Sequence, residues 1–139
     1  MLKDDLAFAV HLSFNGNCGE AFRYYQKCFG GELTVQTLAD TPFAAGIGKG
    51  MLKTVVWATL KNEYFRLVGT DLTDEGSLVS GNNVSILIEC HSYTERIKLI
   101  NKLICRNFCS LPDENPLINV IDRYSVCWII SVNQKKHIK

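Results

Sequence analysis

The chain has 139 residues, of which 47% are hydrophobic and 21% charged, with a net charge of +1. That is one domain's worth of a globular protein able to bury a sizeable core. The near-neutral balance excludes the basic footprint of a nucleic-acid binder, and no apolar run approaches the roughly 20 residues that span a bilayer.

The first six residues carry two acids and no long apolar stretch, so they do not read as a secretory signal. The expected location is the cytoplasm, where thiols stay reduced. Next, Phe8, Val10, Leu12 and Phe14 alternate with Ala9, His11 and Ser13, the pattern of a half-buried strand. A tight turn leads to Asn17, which is expected to cap a helix, with Glu20 closing a capping box. Cys18, Phe22, Tyr25 and Phe29 then form one apolar stripe at helical spacing, and Gly30-Gly31 ends the helix. Residues 32–38, 54–60 and 64–69 are strand-like in composition. Between the first two, 40–53 is rich in glycine and small residues and reads as a mobile loop.

Residues 72–83, with Gly76, Gly81, Asn82 and Asn83, read as a linker. After it the plan repeats. Val84, Ile86 and Ile88 alternate with Ser85, Leu87 and Glu89, and Ser92 with Glu95 supplies a second capping box. Ile97, Ile100, Leu103 and Ile104 give a second helical stripe, followed by strand candidates at 108–111, 117–121 and 125–131. The tail, 133–139, ends in a lysine cluster expected to be a solvated terminus. The reading is α+β: one domain, 1–139, of two βαβββ modules at about 5–71 and 84–132.

None of the six cysteines forms a Cys-x-x-Cys pair, and Cys105 with Cys109 has no second ligand pair beside it. They read as small buried hydrophobes. Cys18 sits in the first turn of a helix, where the dipole lowers a thiol pKa, yet it also lies on the apolar stripe, which favours a buried, inert group. There is no Gly-x-Ser-x-Gly elbow and no His-Glu-x-x-His.

The run Phe14-Asn15-Gly16-Asn17-Cys18, with Glu20-Ala21-Phe22, Tyr24-Tyr25 and Cys28-Phe29-Gly30-Gly31-Glu32, resembles the opening of PhnB-like proteins. These belong to the vicinal oxygen chelate superfamily of glyoxalases, bleomycin resistance proteins and dioxygenases. Asp122-Arg123-Tyr124-Ser125-Val126-Cys127-Trp128 is similar to that family's closing strand, with Ser125 where glycine is usual. The resemblance implies a curved mixed sheet around a cavity, a homodimer and a small-molecule ligand. Some members carry a methyltransferase label, but no glycine-rich cofactor loop follows a strand here. Metal-dependent members use His, Gln or Glu from equivalent strands to hold an ion that acts as a Lewis acid.

Strand alternation places His11 and Ser13 opposite the helix side and so toward the cavity. Where many relatives have His-Ala-Glu, this chain has Trp57-Ala58-Thr59, and indole nitrogen only donates. Ser85 is a poor ligand, and 126–130 offers no glutamate. His11 is therefore the single metal-ligand candidate, with Cys127 a lesser soft one, and one ligand does not make a site. His91 reads as an exposed turn residue. The cavity candidates are His11, Ser13, Trp57, Thr59, Arg66, Glu89 and Trp128. Arg66 and Glu89 interrupt apolar strands and either pair with each other, grip a ligand's opposite charge or reach water at strand ends; Trp57 and Trp128 either stack a flat ligand or belong to core or dimer contact. The favoured reading is metal-free small-molecule binding in a largely apolar cavity, with no cofactor. The alternative is a divalent-metal-dependent enzyme of glyoxalase or dioxygenase type, so whether the chain is an enzyme stays open on the sequence.

Overall fold

The alternation around Leu12 and Phe14 forms strand β1, Val10–Phe14, and the stripe after it forms helix α1, Cys18–Phe29. Both are seen in a computed structural model that describes residues 7–71, 78–104 and 117–133. The chain divides into two compact units, Met1–Leu78 and Val79–Lys139, a division that falls within the stretch 72–83. Each unit has its own open sheet.

In the first unit, α1 is followed by β2 (Glu32–Thr37), β3 (Val55–Lys61) and β4 (Arg66–Asp71). The strand order is β1-β4-β3-β2, with β1 parallel to β4 and the other pairs antiparallel. Register rows fix the two faces. Leu12, Gly69, Ala58 and Val35 lie abreast on the side that α1 covers. A Cβ on Gly69 would collide with the Phe22 ring, so the missing side chain lets helix and sheet close. The helix buries Cys18, Ala21, Phe22, Tyr25 and Cys28, and Phe22 stacks edge-on to Phe14 and Tyr25. Each large ring buried this way contributes on the order of 2 kcal/mol. Phe29, at the end of the stripe, is half-buried and meets Phe65 edge-on at 5.4 Å.

Two expectations are corrected in this unit, and the loop between β2 and β3 gains local detail. Phe8 does not extend β1: the strand starts at Val10 and Phe8 is 84% exposed. The connection between β2 and β3 is a loop, as expected for 40–53, and carries three single-turn helices at Leu38–Asp40, Ala44–Gly46 and Lys49–Met51. Asp40 anchors the first, accepting hydrogen bonds from the Thr37 N–H (2.9 Å) and hydroxyl (3.2 Å). Finally, Asn17 stands at the N-cap position of α1 but its side chain makes no capping bond. The cap comes from Asp71, whose Oδ1 accepts the N–H groups of Gly16 (2.9 Å) and Cys18 (3.0 Å) while Oδ2 accepts that of Val55 (2.9 Å). A carboxylate at this end also suits the helix dipole.

The second unit repeats the plan with β5 (Ile86–Cys90), α2 (Tyr93–Ile104), β6 (Leu117–Ile121) and β7 (Cys127–Val132). Its order is β5-β7-β6, with β5 parallel to β7, matching β1-β4-β3. The expected strand at 108–111 lies outside the described residues, as do Cys105, Cys109 and the tail from residue 134. The second capping pair forms: Ser92 Oγ accepts the Glu95 N–H at 3.2 Å, and Glu95 reaches back to the N–H of exposed His91 at 3.0 Å. Helix α2 buries Ile100 and Leu103, with Ile97 and Ile104 half-buried. It also buries Arg96, 1% exposed, whose guanidinium sits 5.0 Å from the Tyr93 ring centroid. No helix among the described residues is long and apolar enough to cross a membrane.

Candidate functional site

The face of the first sheet opposite α1 gathers most of the polar candidates. Because alternate residues of a strand share a face, the rows abreast of the core rows point the other way. His11, Val68, Thr59 and Thr34 form one row, and Ser13 with Thr70 forms the next. His11 Nε2 and Thr70 Oγ1 share a hydrogen bond at 3.2 Å. The His11 ring lies 6.4 Å from that of Trp57, centroid to centroid, tilted by 41°. Trp57 is 44% exposed, His11 is exposed, and Ser13 and Thr59 are half-buried. The result is an imidazole, an indole face and several hydroxyls around the buried Val68.

Sequence reasoning missed Thr70. The expected strand 64–69 stopped one residue short of it and two short of Asp71, because Gly69 reads as a breaker. The period-2 signal of Arg66, Val68 and Thr70 would have carried the strand on. Arg66 opens β4 on this same face and is exposed, at a strand end.

The other two candidates belong to the second unit. Glu89 is exposed on β5, abreast of Ser131 of β7. Trp128 is core: it is 1% exposed and shares its row with Ile86 and Val120, and its indole N–H is donated to Asp122 Oδ2 at 2.8 Å. Its apolar neighbours in β7, Ile129 and Ile130, leave no alternation from which to read a face, so the sequence could not exclude it from the site.

The donor set around His11 does not fit a divalent cation. Its neighbours are hydroxyls and an indole, and indole nitrogen cannot ligate. Among the described residues no three of His, Cys, Asp and Glu gather closely enough to hold an ion.

Cys18 is no nucleophile in the folded chain. It is fully buried, and that burial, together with the nearby Asp71 carboxylate, pushes its thiol from 9.0 up to about 12. Two outcomes are expected. Iodoacetamide at neutral pH leaves Cys18 unmodified by peptide mapping until the chain is unfolded. Because the folded thiol ionises above the unfolded one, its contribution to stability is complete below pH 9.0 and is lost as pH rises toward 12. Urea titrations should therefore show a steeper alkaline loss for the natural chain than for Cys18→Ala; equal slopes would contradict the assignment. Cys90 is likewise buried and its thiol raised by that burial.

Two open units, each with its first strand parallel to its last and a covering helix between them, give the fold of the glyoxalase, bleomycin resistance and dioxygenase proteins, and this chain is similar to several solved structures. A protein of Pseudomonas aeruginosa is 24% identical, with a TM-score of 0.75 over 93% of this chain and 98% of that one. A PhnB protein from Bacillus cereus is 19% identical, with a TM-score of 0.70 over 92% and 100% of the two chains. A glyoxalase/bleomycin resistance protein/dioxygenase from Nocardioides is 16% identical, with a TM-score of 0.51 over 94% and 86%. No protein-family model and no curated protein matches the sequence.

Proposed function

We propose that the chain binds a small, flat, largely apolar molecule on the face of the first sheet opposite α1, without a metal ion. The observation that supports this most directly is the His11–Thr70–Trp57 cluster: an exposed indole tilted toward an imidazole whose Nε2 shares a hydrogen bond with Thr70 Oγ1. Large aromatic faces with a few fixed polar groups are what such ligand sites use. The donor chemistry favours recognition over Lewis-acid catalysis, since hydroxyls and an indole surround the single imidazole.

Trp57 is also the reporter. It is exposed while Trp128 is buried, so quenching of the exposed tryptophan marks ligands stacked on this face. A screen of planar aromatic compounds is expected to yield one that quenches this emission and raises the melting temperature. Trp57→Ala should weaken that compound about tenfold, the loss of one good aromatic contact. Tight retention of one divalent ion per chain, abolished in His11→Ala, would instead favour the metal-dependent enzyme.

A further inference from the structure

A cleft of about 500 Å³ lies on the opposite side of the same sheet, between the N-terminal half of α1 and the segment that joins β2 to β3. Val35 belongs to the sheet row that faces α1, so this cleft is separated from the His11 face by the sheet itself. Its size is within the roughly 300–1,000 Å³ of small-ligand sites. The floor is aliphatic, with Val35 and Leu52 half-buried and Val55 beneath them. The rim carries two exposed cations, Arg23 from the helix and Lys53 from the joining segment.

Arg23 is aimed by Gly19. Long helical side chains lean toward the N-terminus, over the residue one turn back. With no side chain at that position, Arg23 Nη1 comes within 3.1 Å of where a Gly19 Cβ would be. The guanidinium thus lies along the wall of the cleft. One carboxylate, Glu20, shares that wall, leaving a surplus of one positive charge among the lining side chains. That balance suits a monoanion better than a dianion, which Glu20 would repel more strongly.

We infer that this cleft is a second binding site, for an amphipathic monoanion: a carboxylate held by Arg23 and Lys53, with a short aliphatic chain on Val35 and Leu52. A medium-chain fatty acid has this chemistry, and octanoate is the probe.

The test is titration of the full-length, isotope-labelled chain with octanoate, octylammonium and octanol, followed by amide chemical shifts. Octanoate is expected to give saturable shifts at Gly19, Arg23, Leu52 and Lys53, and octylammonium none. The double variant Arg23→Gln, Lys53→Gln should bind octanoate at least about tenfold more weakly with an unchanged melting temperature, since both side chains are exposed. Arg23→Lys should retain part of the binding. The proposal is overturned by the absence of saturable binding at millimolar octanoate, by octanol binding as tightly, or by undiminished binding in the double variant. Shifts confined to His11, Trp57 and Thr70 would also overturn it while supporting the site on the other face, and failure here leaves the Trp57 screen unaffected.

Discussion

Asp71→Ala is expected to destabilise the chain by about 3–4 kcal/mol, seen as a large fall in the urea midpoint. The carboxylate is 4% exposed and accepts three backbone N–H groups, from Gly16, Cys18 and Val55. Hydrogen bonds to a charged group are worth roughly 1.5–3 kcal/mol each, and deleting the acceptor leaves donors without the partner they were folded around. These bonds act as a unit, so their sum overstates the loss. The three donors also lie on three elements: the turn before α1, the first residue of α1 and the first residue of β3. Losing the clamp should therefore loosen the helix and the sheet together. Asp71→Asn, which keeps one carbonyl oxygen, should lose less. Asn17→Ala is the control. A helix N-cap that bonds through its side chain is worth about 1 kcal/mol, and Asn17 makes no such bond, so its removal should cost little. If Asn17→Ala proved the more damaging, the capping role of Asp71 would be wrong.

That contrast shows where the sequence was legible. The body of α1 could be read from local signals alone: a turn before it, a stripe of Phe22 and Tyr25 along it, and Gly30-Gly31 after it, both at positive φ. Its cap could not, because the capping group comes from β4, and local spacing carries no information about a partner fetched by tertiary folding. The same holds for the candidate site. Alternation with Leu12 and Phe14 puts His11 and Ser13 on the face opposite α1, whereas Trp57 and Thr59 come from the family likeness, and only the register sets Thr59 abreast of Val68 and Thr34. Thr70 was hidden by the glycine before it. Trp128 stays open between ligand stacking and core on the sequence because β7 is apolar on both faces, and a strand without polar alternation has no readable side; the structure places it in the core. What decides its face is an acid six residues upstream.

That acid carries the second large effect. Asp122→Ala should destabilise the chain by about 3 kcal/mol, with the transition followed by tryptophan emission and urea midpoint. Asp122 is 5% exposed and stands at the start of the turn between β6 and β7. Its Oδ1 accepts the N–H groups of Tyr124 (2.8 Å) and Val126 (3.1 Å), and its Oδ2 the indole N–H of Trp128 (2.8 Å). One side chain thus shapes the turn and fixes the largest ring of this unit's core. The turn needs the help. Ser125 sits at φ 68°, the left-handed region that costs a residue with a Cβ about 1 kcal/mol. The backbone bonds Ser125 N–H to Asp122 O (3.0 Å) and Asp122 N–H to Val126 O (3.1 Å) hold it there, supported by the carboxylate. Trp128→Phe separates the two roles. It removes the buried donor while keeping an aromatic ring, so in that background Asp122→Ala should be milder than in the natural chain, because no indole N–H is left stranded. Strict additivity of the two substitutions would mean that the bond between them contributes nothing, and that the turn alone accounts for the effect of Asp122.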